Sequence, residues 1–170
     1  MTVRDILLYP HPALARGGEP VSWPWGDDVT TLLDDLAETM YATGAAGLAA
    51  PQLGVPLRAF TIDMAPNNGP ADLKYFVNPR ILSRDGAVAE SEGCMSFPSI
   101  YERVTRAARV SVYALDREGK SFTLDAEGGL ARGIQHECDH LDGQLLIDRV
   151  SPHVRRSIMQ RMKARHRKEE

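Results

Sequence analysis

Residues 136–140 read His-Glu-Cys-Asp-His, and this run constrains the chain more than any other part of it. If the run is helical, His136 and His140 lie one turn apart on one face and can bind a single metal ion. Glu137 lies about 100° around the helix from His136, where it could move protons during a hydrolysis. A catalytic metal ion typically has three protein ligands. The third ligand therefore decides the chemistry.

Downstream of this run, two familiar ways of completing the site fail. Metalloproteases of the metzincin type extend the run as His-Glu-x-x-His-x-x-Gly-x-x-His. Gly143 matches the glycine of that extension, but Leu146 stands where the third histidine is required. A thermolysin-like site needs a later glutamate, and the chain offers only Glu169 and Glu170, at a terminus expected to fray. Neither class of protease is favoured.

Upstream of the run, the segment Glu92-Gly-Cys-Met-Ser-Phe-Pro98 offers Cys94 as a ligand. A thiolate beside two imidazoles makes a relatively soft donor set, suited to Fe(II), Zn, Co or Ni. Cys138 is less suitable because it lies about 200° around the helix from the first histidine, and we expect a buried thiol there. His11 and His153 have no partner at ligand spacing and are interpreted as structural or exposed.

Length and composition favour one globular domain over residues 1–170. The chain is 43% hydrophobic and 25% charged, which is usual for a protein with a buried core. No apolar run approaches the ~20 residues that cross a bilayer, so no membrane partner is expected. Two cysteines give no disulfide framework, and the first ten residues contain no signal-peptide core. These observations favour a cytoplasmic protein.

The charge of the chain is unevenly distributed. The net charge is −3, yet the last twenty residues contain two acidic residues and seven basic ones: Arg155, Arg156, Arg161, Lys163, Arg165, Arg167 and Lys168. A basic tail on an acidic body indicates an anionic partner that the tail alone contacts, or simply a solvated helix end. Residues 165–170 have no apolar stripe and are expected to project from the body.

Hydrophobic spacing predicts three helices. The first is indicated by an apolar stripe at helical spacing: Val29, Leu32, Leu33, Leu36 and Met40. Asp27 or Asp28 is expected to cap its start, and Gly44 to end it. A second helix is expected from Leu130 to Leu141. The third begins at Ser151-Pro152, a cap followed by a proline at the first helical position, and reaches about residue 168.

Short extended segments fill the space between the first two helices. They cover residues 47–50, 57–64, 74–78, 81–83 and 87–90, and a hairpin pairs 108–115 with 121–125. The order of strands and helices predicts an α+β fold. We expect short antiparallel or mixed sheets packed around the metal-binding helix, with a C-terminal helix at about 151–168.

Three separated blocks resemble those of the peptide deformylase family. They are Gly47-Leu-Ala-Ala-Pro-Gln52, Glu92-Gly-Cys-Met-Ser96 and Gln135-His-Glu-Cys-Asp-His140. They occur in the family's order and with similar gaps, and the similarity extends from about residue 5 to residue 160. The resemblance implies a bacterial-type metallo-amidase that removes the formyl group of N-formylmethionyl peptides and releases formate.

The resemblance also implies a role for each site residue. The family binds one divalent metal ion, and the residues that match its ligands are Cys94, His136 and His140. Fe(II) would be the native metal, with Zn, Ni or Co able to replace it. Glu137 would be the catalytic acid/base, with the Gln52 side chain and the Met95 backbone N–H as donors to the reacting carbonyl. Gly47 would let a peptide substrate approach as an extra strand.

The sequence departs from the family pattern at the walls of the substrate pocket. The first block usually opens Gly-x-Gly, whereas this chain has Ala45-Ala46-Gly47. If that backbone position needs a positive φ, Ala45 is strained or Gly44 supplies the conformation. Ala46 replaces a larger apolar residue, and Gly133 adds room on the same wall. We expect a wider methionine pocket, which Ala46→Ile should make more selective for formyl-methionine over shorter formyl peptides.

Partners and alternative functions follow from the same resemblance. Bacterial deformylases act on nascent chains, and a basic C-terminal helix can contact the ribosome; the candidates here are Arg161, Lys163, Arg165, Arg167 and Lys168. We expect a monomer that binds no DNA. One alternative is a hydrolase of another N-acyl peptide, suggested by Ala45 and Ala46. Another is a catalytically silent ribosome-binding paralogue, which would need neither Glu137 nor Gln52.

Overall fold

The protein is described by a computed structural model that covers residues 2–65 and 70–169. Its helices are α1 (Asp27–Thr43), α2 (Gly128–Leu141) and α3 (Pro152–Glu169). Its strands are β1 (Gly47–Ala49), β2 (Ala59–Ile62), β3 (Lys74–Asp85), β4 (Val88–Cys94), β5 (Phe97–Arg106), β6 (Arg109–Leu115) and β7 (Ser121–Glu127). The five-stranded sheet has the order β1-β2-β3-β6-β7, and β4 pairs with β5 in a separate ribbon. All these pairs are antiparallel, which confirms the predicted α+β class.

Helix α1 buries its apolar stripe as predicted. Leu33, Leu36 and Met40 are fully buried in one core cluster. The predicted N-cap was wrong: Gly26 occupies that position, and Asp27 and Asp28 lie in the first turn, where their charge complements the helix dipole. The helix ends as expected at Gly44, which has a left-handed φ of 71°.

Helix α2 packs one face on the large sheet. Its apolar residues Ala131, Ile134 and Leu141 join Phe60 and Phe76 of the sheet in a second core cluster. Each large apolar side chain buried in this way contributes about 1.5–3 kcal/mol. The packing fixes the rotation of the helix, so that the flank carrying residues 133, 136 and 137 lines a cavity.

Two strand predictions need correction. The segments expected at 74–78 and 81–83 form one strand, β3, with register irregularities against β6. Strand β5 was not predicted, because Pro98 and the left-handed Ser99 (φ 62°) interrupt the period-two alternation after Phe97. Beyond that interruption, Ile100 and Val104 are buried.

Helix α3 is held to the body along most of its length. The Ser151 hydroxyl accepts a hydrogen bond from the Val154 N–H at 3.3 Å, and Ile158 and Met162 are buried in a third core cluster. The expectation that the chain projects from residue 165 was wrong, because His166 Nε2 lies 2.9 Å from the Tyr9 carbonyl. None of the helices in the described ranges combines the length and apolarity that crossing a membrane requires.

Candidate metal centre

The β4–β5 ribbon and helix α2 bring three ligand-type side chains together. Cys94 ends β4 at a register shift between Gly93 and Cys94, and the two histidines lie one turn apart on α2. The ligand atoms of Cys94, His136 and His140 lie within 4.8 Å of one another, and Cys94 Sγ is 3.3 Å from His140 Nε2. A thiolate and two imidazoles so arranged fit a divalent transition-metal ion.

Glu92 orients the first of these histidines. Its Oε1 lies 2.6 Å from His136 Nδ1, which leaves the other ring nitrogen, Nε2, to face the thiolate. A carboxylate behind a metal-binding histidine typically fixes the ring and its tautomer. Glu92 is 7% exposed, so this contact is protected from competing water.

Two arginines neutralise the buried Glu92 carboxylate. Arg106 donates to both of its oxygens, at 3.0 and 2.6 Å, and Arg132 donates to Oε2 at 2.9 Å. Burial alone would raise the pKa of Glu92, but its bonds with Arg106 and His136 outweigh burial and hold the pKa well below its usual value. Arg106 also donates to Asp139 at 2.7 Å, which ties the ribbon to helix α2.

The electrostatics of the cluster favour a thiolate. Burial alone would raise the pKa of the Cys94 thiol, but the charge of His140 and hydrogen bonds with both histidines lower it well below its usual value. Cys138 has the opposite environment: burial raises the pKa of its thiol to about 12. It packs in the second core cluster, so the predicted buried thiol is confirmed.

Glu137 faces the cavity beside the cluster. Burial raises the pKa of its carboxyl group to about 6, against the opposing charges of His136 and His140. Its Oε2 is buried, and within the described ranges it has no hydrogen-bond partner. Its Oε1 would lie 2.6 Å from a Cβ built at Gly47, so only glycine leaves the carboxylate in this place.

Gln52 is buried in the short 3₁₀ turn that follows β1. Its Oε1 accepts the Ala49 N–H at 3.0 Å, and its Nε2 donates to Ser96 Oγ at 3.2 Å. The same nitrogen lies 3.6 Å from Cys94 Sγ. The amide is thus fixed beside the cluster by contacts with two different strands.

A cavity of about 460 Å³ opens in front of the cluster. Apart from the metal ligands, the predicted site residues that line it are Ala45, Ala46, Gly47, Met95, Gly133 and Glu137. Gln52 and His140 are 2% and 1% exposed and lie outside this lining. The left-handed conformation falls on Gly44 and not on Ala45, so the alanine carries no backbone strain.

Sequence reasoning missed the residues that support the cluster. Arg106 and Arg132 were not singled out, and Glu92 was quoted only as part of a block. One signal was present: Glu92 and Cys94 are two residues apart in a strand, which places both side chains on one face. The arginines lie far along the chain, and their spacing carries no such signal.

The comparisons with known proteins agree with this geometry. The family model described as polypeptide deformylase matches residues 3–156. The peptide deformylase of Alkalilimnicola ehrlichii is 44% identical over 95% of this chain and 90% of its own. The crystal structure of a peptide deformylase from Legionella pneumophila has a TM-score of 0.91 and 39% identity, over 99% of this chain and 98% of its own.

A third similar protein has a bound compound. The Ehrlichia chaffeensis peptide deformylase in complex with actinonin has a TM-score of 0.91 and 31% identity, over 98% of this chain and 99% of its own. The matched region contains the helix, the ribbon and the cavity described above. The chain therefore belongs to the peptide deformylase family.

Proposed function

We propose that this deformylase removes the N-formyl group from the formylmethionine of nascent polypeptides at the Cys94–His136–His140 centre. The observation that carries the proposal is the convergence of three ligand atoms within 4.8 Å beside a buried carboxylate at a cavity wall. The family match over residues 3–156 supplies the reaction class. We treat residues 1–170 as one catalytic unit, because α3 buries Ile158 and Met162 against the rest of the chain.

The donor set fits a divalent metal ion. The lowered pKa of the Cys94 thiol favours the ligating thiolate, and the bond to Glu92 leaves one nitrogen of His136 for the ion. When bound, the ion supplies Lewis-acid polarisation of a carbonyl and acidifies a water molecule. We propose Fe(II) as the native metal, with Zn, Ni or Co able to replace it, because the set mixes thiolate with imidazole.

Glu137 is the proposed acid/base. Water adds to the formyl carbon, and the C–N bond breaks to give a free amine and formic acid, which ionises to formate. Glu137 accepts the proton of the attacking water and returns it to the departing nitrogen. In the metal-free protein, burial brings the pKa of this carboxyl closer to neutral pH, as suits a group that both accepts and returns a proton, and the unpartnered Oε2 provides an acceptor at the cavity wall.

Gln52 and the Met95 backbone N–H are the proposed donors to the formyl oxygen. The Gln52 Nε2 is already 3.6 Å from Cys94 Sγ, so a carbonyl beside that sulfur lies within reach of the amide. Strand β1 is an edge of the sheet in the described part of the chain. A peptide can therefore pair with its outer side, next to Gly47.

Metal reconstitution tests the proposal. The chelator-treated protein is reloaded anaerobically with Fe(II), Co(II) or Zn(II), and formate release from formyl-Met-Ala-Ser is measured. Activity should return in the wild type and in Cys138→Ala, the matched control cysteine, but not in Cys94→Ala. Formate release by metal-free protein, or unchanged metal affinity in Cys94→Ala, would contradict the site.

The same assay separates the alternatives. Faster hydrolysis of acetyl-Met-Ala-Ser than of the formyl peptide would favour another N-acyl substrate, the function suggested by Ala45 and Ala46. No release from either peptide by the metal-loaded chain would favour a silent paralogue. The retention of Glu137 and Gln52 at the site supports turnover, since neither would be needed in a silent protein.

We propose that the protein is a monomer and that it acts in the cytoplasm, where nascent chains are made.

The exposed side of α3 is the proposed ribosome contact. Deleting residues 161–170 is unsuitable as a test of this contact, because the deletion removes Met162, which is 1% exposed. The better variant replaces the exposed residues Lys163, Arg167 and Lys168 with glutamine. Ribosome co-sedimentation should fall and become less salt-dependent. The matched control replaces exposed cations elsewhere: Arg16, Arg84 and Lys120. An equal loss in both triple variants would refute this contact.

A further inference from the structure

Two of the residues with which the first half of helix α2 faces the cavity are glycines. Gly129 and Gly133 lie four residues apart, on one face of the helix, and both line the cavity. A glycine in a helix interior costs about 1 kcal/mol relative to alanine. The pair therefore weakens the helix and leaves an open groove in one wall of the cavity.

The side chain of Met64 fills this groove. A Cβ built at Gly129 would lie 2.9 Å from Met64 Cε, and one built at Gly133 would lie 3.7 Å from Met64 Sδ and 3.2 Å from Ile62 Cδ1. Met64 thus lies across both glycines, two residues after the end of β2. It is 42% exposed, and an unbranched thioether adapts readily to irregular space. This part of the wall is therefore made by the side chains of Ile62 and Met64, of which Met64 is the exposed and flexible one.

The groove is close to the reacting groups. Gly133 precedes His136 by three residues and Glu137 by four, so all three lie on one side of α2. Met64 and Ala46 line the same cavity as Cys94 and Glu137. A peptide whose formyl group lies at the metal centre would place its first side chain in this cavity, which Met64 lines.

We propose that Met64 is a specificity-determining residue that acts as the adjustable wall of the pocket for the first substrate side chain. Packed over Gly129 and Gly133, it shapes the pocket for methionine. Displaced from them, it leaves the groove open to a larger side chain such as phenylalanine. The proposal rests on the proposed deformylase function and adds the residue that sets side-chain preference.

Paired substrates test the proposal. The measured quantity is the kcat/KM of formyl-Phe-Ala-Ser divided by that of formyl-Met-Ala-Ser, with metal-loaded protein. Met64→Ala should raise this ratio at least tenfold, because one methylene group more or less in a hydrophobic pocket changes selectivity by roughly 10–200-fold. Met159→Ala is the matched control, since Met159 is similarly exposed (41%) but lies on α3, and its ratio should stay at the wild-type value.

A double-mutant cycle tests the contact itself. Gly129→Ala should lower the ratio, because its Cβ displaces Met64 Cε towards the cavity. In the Met64→Ala background the same glycine change should have less than a twofold effect, since the two residues are coupled only through that contact. Additive effects of the two changes would overturn the proposal.

A readout independent of turnover uses the methionine methyl groups. The chain has six methionines, and the ¹³C-methyl signal of Met64 is assigned by its loss in Met64→Ala. Adding the product peptide Phe-Ala-Ser should shift this signal and leave that of Met159 unchanged. If formate release continues, either of two results would overturn the proposal. One is a kcat/KM ratio of Met64→Ala within twofold of the wild-type ratio; the other is a Met64 signal that the peptide does not shift. Absence of formate release from every formyl peptide would instead refute the proposed function.

Discussion

Replacing Glu92 with glutamine should weaken both the fold and the metal site. Each carboxylate oxygen accepts two hydrogen bonds: Oε1 from Arg106 and His136, Oε2 from Arg106 and Arg132. Glutamine replaces one oxygen with an NH₂ group, so two donors lose their acceptor whichever way the amide turns. Hydrogen bonds to charged groups contribute about 1.5–3 kcal/mol each, and breaking a buried ion pair typically costs about 3–5 kcal/mol.

We therefore expect Glu92→Gln to lower the free energy of unfolding of the metal-free chain by about 3–5 kcal/mol. Metal affinity should fall about 10–100-fold, the usual effect of losing a carboxylate behind a ligating histidine. Urea unfolding followed by circular dichroism measures the first quantity. Competition with a chromophoric chelator for Zn(II) measures the second.

Glu90→Gln is the matched control for this prediction. Glu90 lies two residues earlier in β4, and its side chain is 58% exposed, 3.4 Å from Arg132 Nε. An exposed ion pair contributes about 0–1 kcal/mol, so this variant should resemble the wild type in both assays. If Glu92→Gln also lost less than 1 kcal/mol and less than twofold in metal affinity, the supporting role of the carboxylate would be refuted.

Three further predictions concern other parts of the molecule. Gly47→Ala should lower kcat about 100-fold with metal content unchanged, because its Cβ displaces the carboxylate of the neighbouring acid/base; unchanged kcat would contradict that contact. Although Tyr41 is 42% exposed, desolvation of its hydroxyl and the hydrogen bond that it donates to the buried Asp63 raise its pKa to about 12, so stability should fall between pH 10 and pH 12. Between these pH values the urea midpoint of Tyr41→Phe should fall less steeply than that of the wild type. Equal slopes in the two proteins would contradict the prediction. In metal-free protein, iodoacetamide should label Cys94 and spare Cys138, as mass spectrometry of the peptides would show; equal labelling would disprove the difference in thiol pKa.

Local spacing made part of the site predictable. His136, Glu137 and His140 lie within five residues, so helical geometry alone places them together. The chemistry of the missing ligand then pointed to Cys94, although the sequence could not show the ribbon that brings it to the helix. The Cys94 thiol meets the two histidines only because β4 ends beside α2, and this placement depends on packing between distant segments.

Other parts depended on contacts that leave no periodic signal. Arg106 and Glu92 are not cross-strand neighbours, because the β4–β5 register pairs Arg106 with Val88 and Glu92 with Glu102; the arginine side chain instead reaches along the ribbon to the carboxylate. The end of α3 is held by a bond between His166 and Tyr9, 157 residues apart in the chain. Strand β5 was missed because the left-handed Ser99 breaks its alternation. In each case a non-local contact or an unusual backbone angle overrode the local pattern.

The most direct test of the proposed mechanism is formate release by metal-loaded Glu137→Ala. The variant should bind the same amount of metal as the wild type, because Cys94, His136 and His140 are unchanged. Its rate of formate release from formyl-Met-Ala-Ser should fall by roughly 10²–10⁴, the usual contribution of a positioned acid/base. A rate within tenfold of the wild type, with metal content equal, would contradict the assignment of Glu137 and the mechanism built on it.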